Sequence, residues 1–480
     1  MKNNNFVAGQ WIAGEGSIKN INPSDTNDII DEYTNATSQQ LNDAISSAQL
    51  AQKKWETVGI EKRANILHDI GSELIKQSKE IGTLLSREEG KTLPEGIGEV
   101  IRSGQQFQYY AASALRQFGE NIASTRDGVS VEISREPVGV CGIISPWNFP
   151  IAIAAWKSAP AMAFGNAIVL KPASQTPASA IALTKIISEQ KEIPEGLFNL
   201  VLGGGGTIGH QMSGHSDINA ISFTGSVGVG QTIYMEAAKS MKKMQLEMGS
   251  KNPLLIMDDA DINIAVACAT NGAYGGTGQK CTASSRLIVH EKVYKQFIEK
   301  LIESISALKV GHALEEGSQM GPVSSETQLQ SNLDYVEIGK KEAKLAYGGS
   351  PMNMKTPGHY MEPTLFIDGD NKTTINQEEM FGPIACVIPV KSYEEGLEVA
   401  NDTIFGLSSG IITKSLSKAA DFKKNIKTGV TTVNLPTAGL DYHVPFGGRK
   451  ASSFGPREQG TYAHEFFTHV KTTYVSPGKI

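Results

Sequence analysis

Cysteine is scarce in this chain: Cys141, Cys268, Cys281 and Cys386 are the only four among 480 residues. Four in a chain of this length do not make a disulfide framework and point to a reducing compartment, and without Cys-x-x-Cys spacing they offer no metal site. The nine histidines are scattered, without HxxxH or HExxH spacing, and no metal site is expected. Basic residues are not in excess: 44 face 50 acidic ones, a net charge of −6, which leaves no footprint for nucleic acid. Apolar runs such as Ile151 to Trp156 fall far short of a membrane span. The opening residues, MKNNNFVAGQWIAGEG, hold no apolar stretch of the kind a signal peptide needs. What remains is a soluble, cytoplasmic protein, and 480 residues are too many for one simple core.

Hydrophobic periodicity supplies the positive signal. Residues 38–119 carry apolar positions at helical spacing, as in LNDAISSAQLAQKKW and RANILHDIGSELIKQ. Short β-rich runs then alternate with helical ones: strands are predicted at 139–145, 167–171, 197–202, 220–225 and 244–249. A second alternating region has strands predicted at 285–290, 365–368, 384–390, 409–413 and 429–434, with a helix from Glu291 to Leu308. Such alternation predicts two parallel sheets, each covered by helices on both faces. Residues 120–137 alternate with period two around Asp127-Gly128, a hairpin signal, and the tail FFTHVKTTYVS reads as a late strand. These predict a small separate β unit. Ligands of parallel sheets sit beyond the carboxyl ends of strands. That draws attention to Asn148, Lys171, Ser226 and Glu247.

Each candidate has two readings. VLGGGGTIG (201–209) joins a strand to a helix, where backbone amides approach a phosphate; it is equally a flexible turn. Asn148 in SPWNFP is either an amide donor to a developing oxyanion or a turn asparagine. Lys171 in LKPAS is a donor to ribose or phosphate, or a solvated lysine. Glu247 in LEMGSKNP is a general base with a raised pKa, or a paired structural acid. Cys281, in TGQKCTASSR, sits among small polar residues and glycines. It is a nucleophile or a bystander, and Lys280 beside it could lower its pKa or point to solvent.

The order of these segments is distinctive. PWNFP, KPAS, the Gly203/Gly205/Gly209 turn, FTGS, LEMGSKNP, GQKC, EEMFGP (378–383) and PFGGRK (445–450) resemble, in sequence order, the aldehyde dehydrogenase superfamily along nearly the whole chain. The resemblance implies a nucleotide-binding domain from 1–119 and 138–247, a catalytic domain from 248–448, and oligomerisation elements at 120–137 and 449–480. It implies Cys281 as nucleophile, Asn148 with the Cys281 N–H as oxyanion donors, and Glu247 as the base that activates water against a thioester. An oxyanion donor of this kind lowers a barrier by ~3–4 kcal/mol. For NAD or NADP it implies Lys171 and Glu379 at ribose hydroxyls and Phe381 toward the nicotinamide. Trp147, Ser226 and the Gly205 turn would lie near the pyrophosphate. Ser174 stands where many NAD-preferring members carry a glutamate. Serine does not repel a 2′-phosphate, so NADP is expected to be accepted.

For the substrate, the resemblance implies a pocket of Arg102, Phe149, Trp156, Thr282, Leu440 and Phe446. Arg102 suits a carboxylate-bearing aldehyde, or is a surface arginine of an amphipathic helix. Gly275 replaces a bulky aromatic of some relatives, which is expected to open room near the thiol. Trp156, where succinic semialdehyde dehydrogenases commonly have arginine, and Thr282-Ala283 after the nucleophile argue against that specificity. The segment 436–474 resembles α-ketoglutaric semialdehyde dehydrogenases. Succinic-semialdehyde or broad specificity is the alternative. A silent structural relative is disfavoured by the intact Cys281, Glu247 and Asn148, and an enzyme that passes its acyl group to coenzyme A by the intact Glu247, which favours hydrolysis to the free acid. A homodimer or homotetramer is expected.

Overall fold

The computed structural model describes residues 4–116 and 119–478. Its first sheet has eight strands, in the order Ser453–Phe454, Lys243–Glu247, Ala220–Thr224, Val140–Ile144, Ala167–Lys171, Phe198–Leu200, Asn5–Val7 and Gln10–Ile12. The central five run parallel, and the outer strands pair antiparallel. Val140–Ile144 and Ala167–Lys171 are buried at every residue, which is why both read as unbroken apolar runs.

A second sheet has seven strands, in the order Lys344–Tyr347, Thr364–Ile367, Ile384–Val390, Arg286–His290, Pro253–Ile256, Ser408–Ile412 and Val430–Val433. It is parallel except at the Lys344–Tyr347 edge. Separate apolar clusters form around Leu254, Leu287 and Val387 and around Leu255, Ile288 and Ile411, as a sheet covered on both faces requires. A third sheet pairs Ser130–Pro137 with Glu120–Ala123 and with the late strand Thr468–Val475. The molecule is therefore two α/β units plus a small β unit, as the alternation predicts.

The parallel register decides where chemistry can gather. Ile144 pairs with Lys171, Phe223 with Ile144, and Thr224 with Glu247. The carboxyl ends of four strands thus lie side by side, each leading into one of the segments singled out from sequence. From the second unit, by contrast, Ser250, Cys281 and Glu379 come from loops that precede strands Pro253–Ile256, Arg286–His290 and Ile384–Val390.

Among the described residues, no helix is long and apolar enough to cross a membrane. Among them, too, no group of three His, Cys, Asp or Glu could hold a metal ion.

Candidate active site

Asn148 lies in the turn between strand Val140–Ile144 and helix Ala152–Ala163, and it is buried. Its amide Nδ2 donates to the Gln279 carbonyl at 2.9 Å, two residues before Cys281. One bond fixes the amide plane and leaves its second N–H available. The two α/β units therefore meet at this residue.

Cys281 follows helix Ile262–Tyr274, which Asp261 caps through the N–H groups of Asn263 and Ile264. The turn Gly275–Gly278 comes next, with Gly276, Thr277 and Gly278 all at positive φ. A Cβ on Gly278 would meet the Gly382 carbonyl oxygen at 2.2 Å, so glycine is required there. At Gly275 the structure departs from the sequence expectation. The room left by the missing side chain is taken by Lys280, whose Nζ would lie 3.1 Å from a Cβ at that position. That ammonium folds back onto the Asn271 carbonyl at 3.0 Å. Asn252 Nδ2 holds the carbonyls of Cys281 and Ala283 at 2.8 and 2.9 Å, and Thr437 donates to the Thr282 carbonyl at 2.7 Å. Cys281 is half-buried, whereas the other three cysteines are buried. Its thiol is pushed up to about 12, first by burial and then by Glu247, Glu379 and Glu458.

Glu247 is buried at the end of its strand and accepts the Ser453 hydroxyl. A Cβ on Gly447 would meet Glu247 Oε1 at 2.7 Å, so that glycine clears the carboxylate's place. Burial and the neighbouring Glu458 carboxylate hold the Glu247 carboxyl well above the ordinary range. Glu458 is itself paired to the buried Lys157 ammonium, which also reaches Ser222 Oγ at 2.8 Å. Glu458 Oε2 has no hydrogen-bond partner among the described residues. The result is a buried acid–acid–base series. Sequence reasoning missed Lys157 and Glu458. A lone lysine inside the apolar helix IAIAAWKSAPAMA was the one signal for the first, and nothing local marked the second.

Lys171 is buried, and burial lowers its ammonium to about 8. Nζ donates to the Pro172 carbonyl at 2.7 Å, and its stem passes 3.4 Å from where a Gly209 Cβ would stand. The turn 203–209 bends into a π-helical turn before helix His210–Gly214. Side chains added at Gly205 or Gly206 would meet nothing, so their backbones lie open. Ser174 is half-buried, with its hydroxyl toward the Gly203 carbonyl at 3.4 Å. Exposed Ser226 is the N-cap of helix Val227–Ala238. Glu379 accepts the Ser250 N–H at 2.7 Å, and burial raises its carboxyl to about 7. A Gly249 Cβ would lie 2.1 Å from it. Phe381, at positive φ, sets its ring edge-on to Trp147 at 5.4 Å. A buried ammonium with donors to spare, a carboxyl in a glycine cradle and an open glycine turn suit a dinucleotide's hydroxyls and phosphates.

A cavity of about 390 Å³ opens beside the thiol. It brings together all six residues expected of a substrate pocket: Arg102, Phe149, Trp156, Thr282, Leu440 and Phe446. Asn148 and Cys281 also line it. Arg102 lines this cavity from helix Leu93–Ala114 and is half-buried. No carboxylate lies within ion-pair distance of it among the described residues; Asp441 acts on it only at longer range. Glu89, Lys91, Glu99 and Gln459 also line the cavity and were not anticipated.

Residues 11–473 match the description of the aldehyde dehydrogenase family. The chain belongs to that family. Within it, the alpha-ketoglutaric semialdehyde dehydrogenase of Bacillus subtilis (strain 168) is 41% identical over 480 residues, covering 98% of each chain. The 2,5-dioxopentanoate dehydrogenase of Saccharolobus solfataricus is 37% identical over 479 residues, covering 99% of each. Among solved structures, betaine aldehyde dehydrogenase from Staphylococcus aureus in complex with NAD+ superposes with a TM-score of 0.96 at 31% identity. That match covers 100% of this chain and 96% of the other.

Proposed function

We propose that this aldehyde dehydrogenase oxidises α-ketoglutaric semialdehyde to 2-oxoglutarate with NAD+ or NADP+. The observation that carries the reading is a guanidinium with no ion-pair partner among the described residues, Arg102, lining the same cavity as the thiol of Cys281. An aldehyde with a distant carboxylate fits that pairing, since a desolvated guanidinium favours a bidentate carboxylate. The curated relatives that act on this aldehyde, aligned along the full chain, support it.

In this reading Cys281 gives its thiol proton to water and attacks the aldehyde carbon as the thiolate. The free N–H of Asn148 and the Cys281 N–H receive the oxyanion. When bound, a nicotinamide dinucleotide supplies the acceptor for the hydride that leaves this adduct as a thioester. Lys171 and Glu379 would hold its ribose hydroxyls, and Trp147, Phe381, Ser226 and the Gly205 turn its remaining length. Glu247 then takes a proton from water as the water oxygen attacks the thioester carbonyl. The C–S bond breaks and the thiol returns. Ser174 carries no charge to repel a 2′-phosphate, so NADP+ is accepted. The three-stranded sheet exposes Ile122, Val470, Tyr474 and Val475, and a second copy of this chain is its proposed partner in a cytoplasmic homodimer or homotetramer.

The test is a panel of aldehydes assayed with each cofactor, with Cys281→Ala as control. α-Ketoglutaric semialdehyde should give a higher kcat/KM than succinic semialdehyde or betaine aldehyde. Arg102→Ala should raise KM at least about tenfold for acidic aldehydes and spare neutral ones. Equal losses for both classes would assign Arg102 to the fold, and strict rejection of NADP+ would remove the Ser174 inference.

A further inference from the structure

The wall of the cavity holds a buried cation that the mechanism above leaves without a task. Lys91 is 5% exposed at its side chain. Its Nζ donates to Glu99 Oε2 at 2.6 Å and to the backbone carbonyl of Asn148 at 2.6 Å. It also stands over the Phe149 ring, 4.1 Å from the centroid. The other oxygen of Glu99 accepts the N–H groups of Ile151 and Ala152, both at 3.1 Å. One lysine–glutamate pair therefore grips both sides of the turn 148–152, the carbonyl side through Lys91 and the N–H side through Glu99.

The lysine is itself fixed. Gly90, at φ +100°, ends helix Ser78–Glu89, and a Cβ on Gly321 would meet the Gly90 carbonyl at 1.9 Å. The Lys91 N–H donates to Glu89 Oε2 at 2.9 Å. Burial alone would lower the ammonium, but Glu89 and Glu99 outweigh it and hold the group above the ordinary lysine value.

We infer that Lys91 is a positioning residue: by bridging the Asn148 backbone carbonyl to Glu99, it fixes the backbone position from which the Asn148 side-chain amide reaches the developing oxyanion. The inference rests on the oxyanion role proposed for Asn148. A donor misaimed by a fraction of an ångström loses most of its effect on the transition state and little of its effect on ground-state binding.

A double-mutant cycle on the full-length enzyme tests this, using a neutral aldehyde so that substrate charge plays no part. Lys91→Met should lower kcat about tenfold or more while KM stays within about threefold. Alkylation of Cys281 by iodoacetamide, which needs no oxyanion donor, should stay within about twofold of wild type. In an Asn148→Ala background, the same Lys91→Met change should cost less than about twofold in kcat. An equal fall in both backgrounds would make Lys91 a general support of the fold and overturn the inference. If Asn148→Ala costs nothing by itself, the oxyanion reading fails first and takes the inference with it. Should Lys91→Met not fold, Lys91→Gln enters the same cycle with the same two outcomes.

Discussion

Cys281 faces a cavity with three carboxyl groups acting on it, and its charge state follows from them. With burial and Glu247, Glu379 and Glu458 holding it up to about 12, the free enzyme's thiol is protonated at neutral pH. Its alkylation rate should rise about tenfold per pH unit from neutral into the alkaline range, without a plateau near pH 7. Glu247→Gln removes the largest charge cause, so alkylation at a fixed alkaline pH should speed up. The same variant should slow turnover about 10²–10⁴-fold through lost water activation, leaving one equivalent of reduced cofactor released per site as a burst. Cofactor binding has its own pH signature. Glu379 gains its charge as pH rises through about 7, which strengthens its acceptance of ribose hydroxyls. Lys171 loses its charge above about 8. Affinity for the dinucleotide, measured by calorimetry, should therefore rise and then fall, and Glu379→Gln should abolish the rising limb.

At the scale of elements, the loop that presents the thiol is held by side chains of other segments that bond its backbone. The capping box of helix Leu93–Ala114 uses Glu95 Oε2 for Thr92, while Oε1 of the same residue accepts the Gly276 N–H at 2.9 Å. A helix start on one unit thus steadies the nucleophile's turn on the other. Gly278→Ala must push against the backbone of Gly382 at positive φ, with no flexible neighbour to give way. It should cost about 1–3 kcal/mol of stability in thermal melts and most of the activity. Strand positions were legible because buried parallel strands appear as short apolar runs. Pro253–Ile256 escaped because its run is only four residues long and opens on proline directly after Gly-Ser-Lys-Asn. The strands Asn5–Val7 and Gln10–Ile12 escaped because they are three residues each and join the sheet only through the tertiary pairing of Phe6 with Leu200.

Over the whole molecule, Asn148, Glu247 and Cys281 were legible because each sits in a local segment of unusual composition. Lys157, Glu458, Lys91 and Glu99 were not, because their meaning lies in pairings formed by the fold. Lys157 and Glu458 are 301 residues apart in sequence and joined by an ion pair. The return of the chain to its first sheet belongs to this scale. Ser453 pairs with Glu247 in the antiparallel edge and gives it a hydroxyl donor across 206 residues. That bond lowers the Glu247 carboxyl against the upward push of burial. Ser453→Ala should therefore move the acidic limb of the hydrolysis rate to higher pH, read from kcat against pH.

The same return strand sets a timetable for the growing chain on the ribosome. Helices and sheets of the earlier segments can assemble as they emerge. Ser453, which bonds the base, Glu458, whose charge acts on it, and the pocket residue Gln459 emerge only after every other strand of the two larger sheets. A nascent chain halted before them would carry its thiol without a seated base. On the proposed mechanism, such a chain would lack the surroundings of the group that frees the product acid from the thiol.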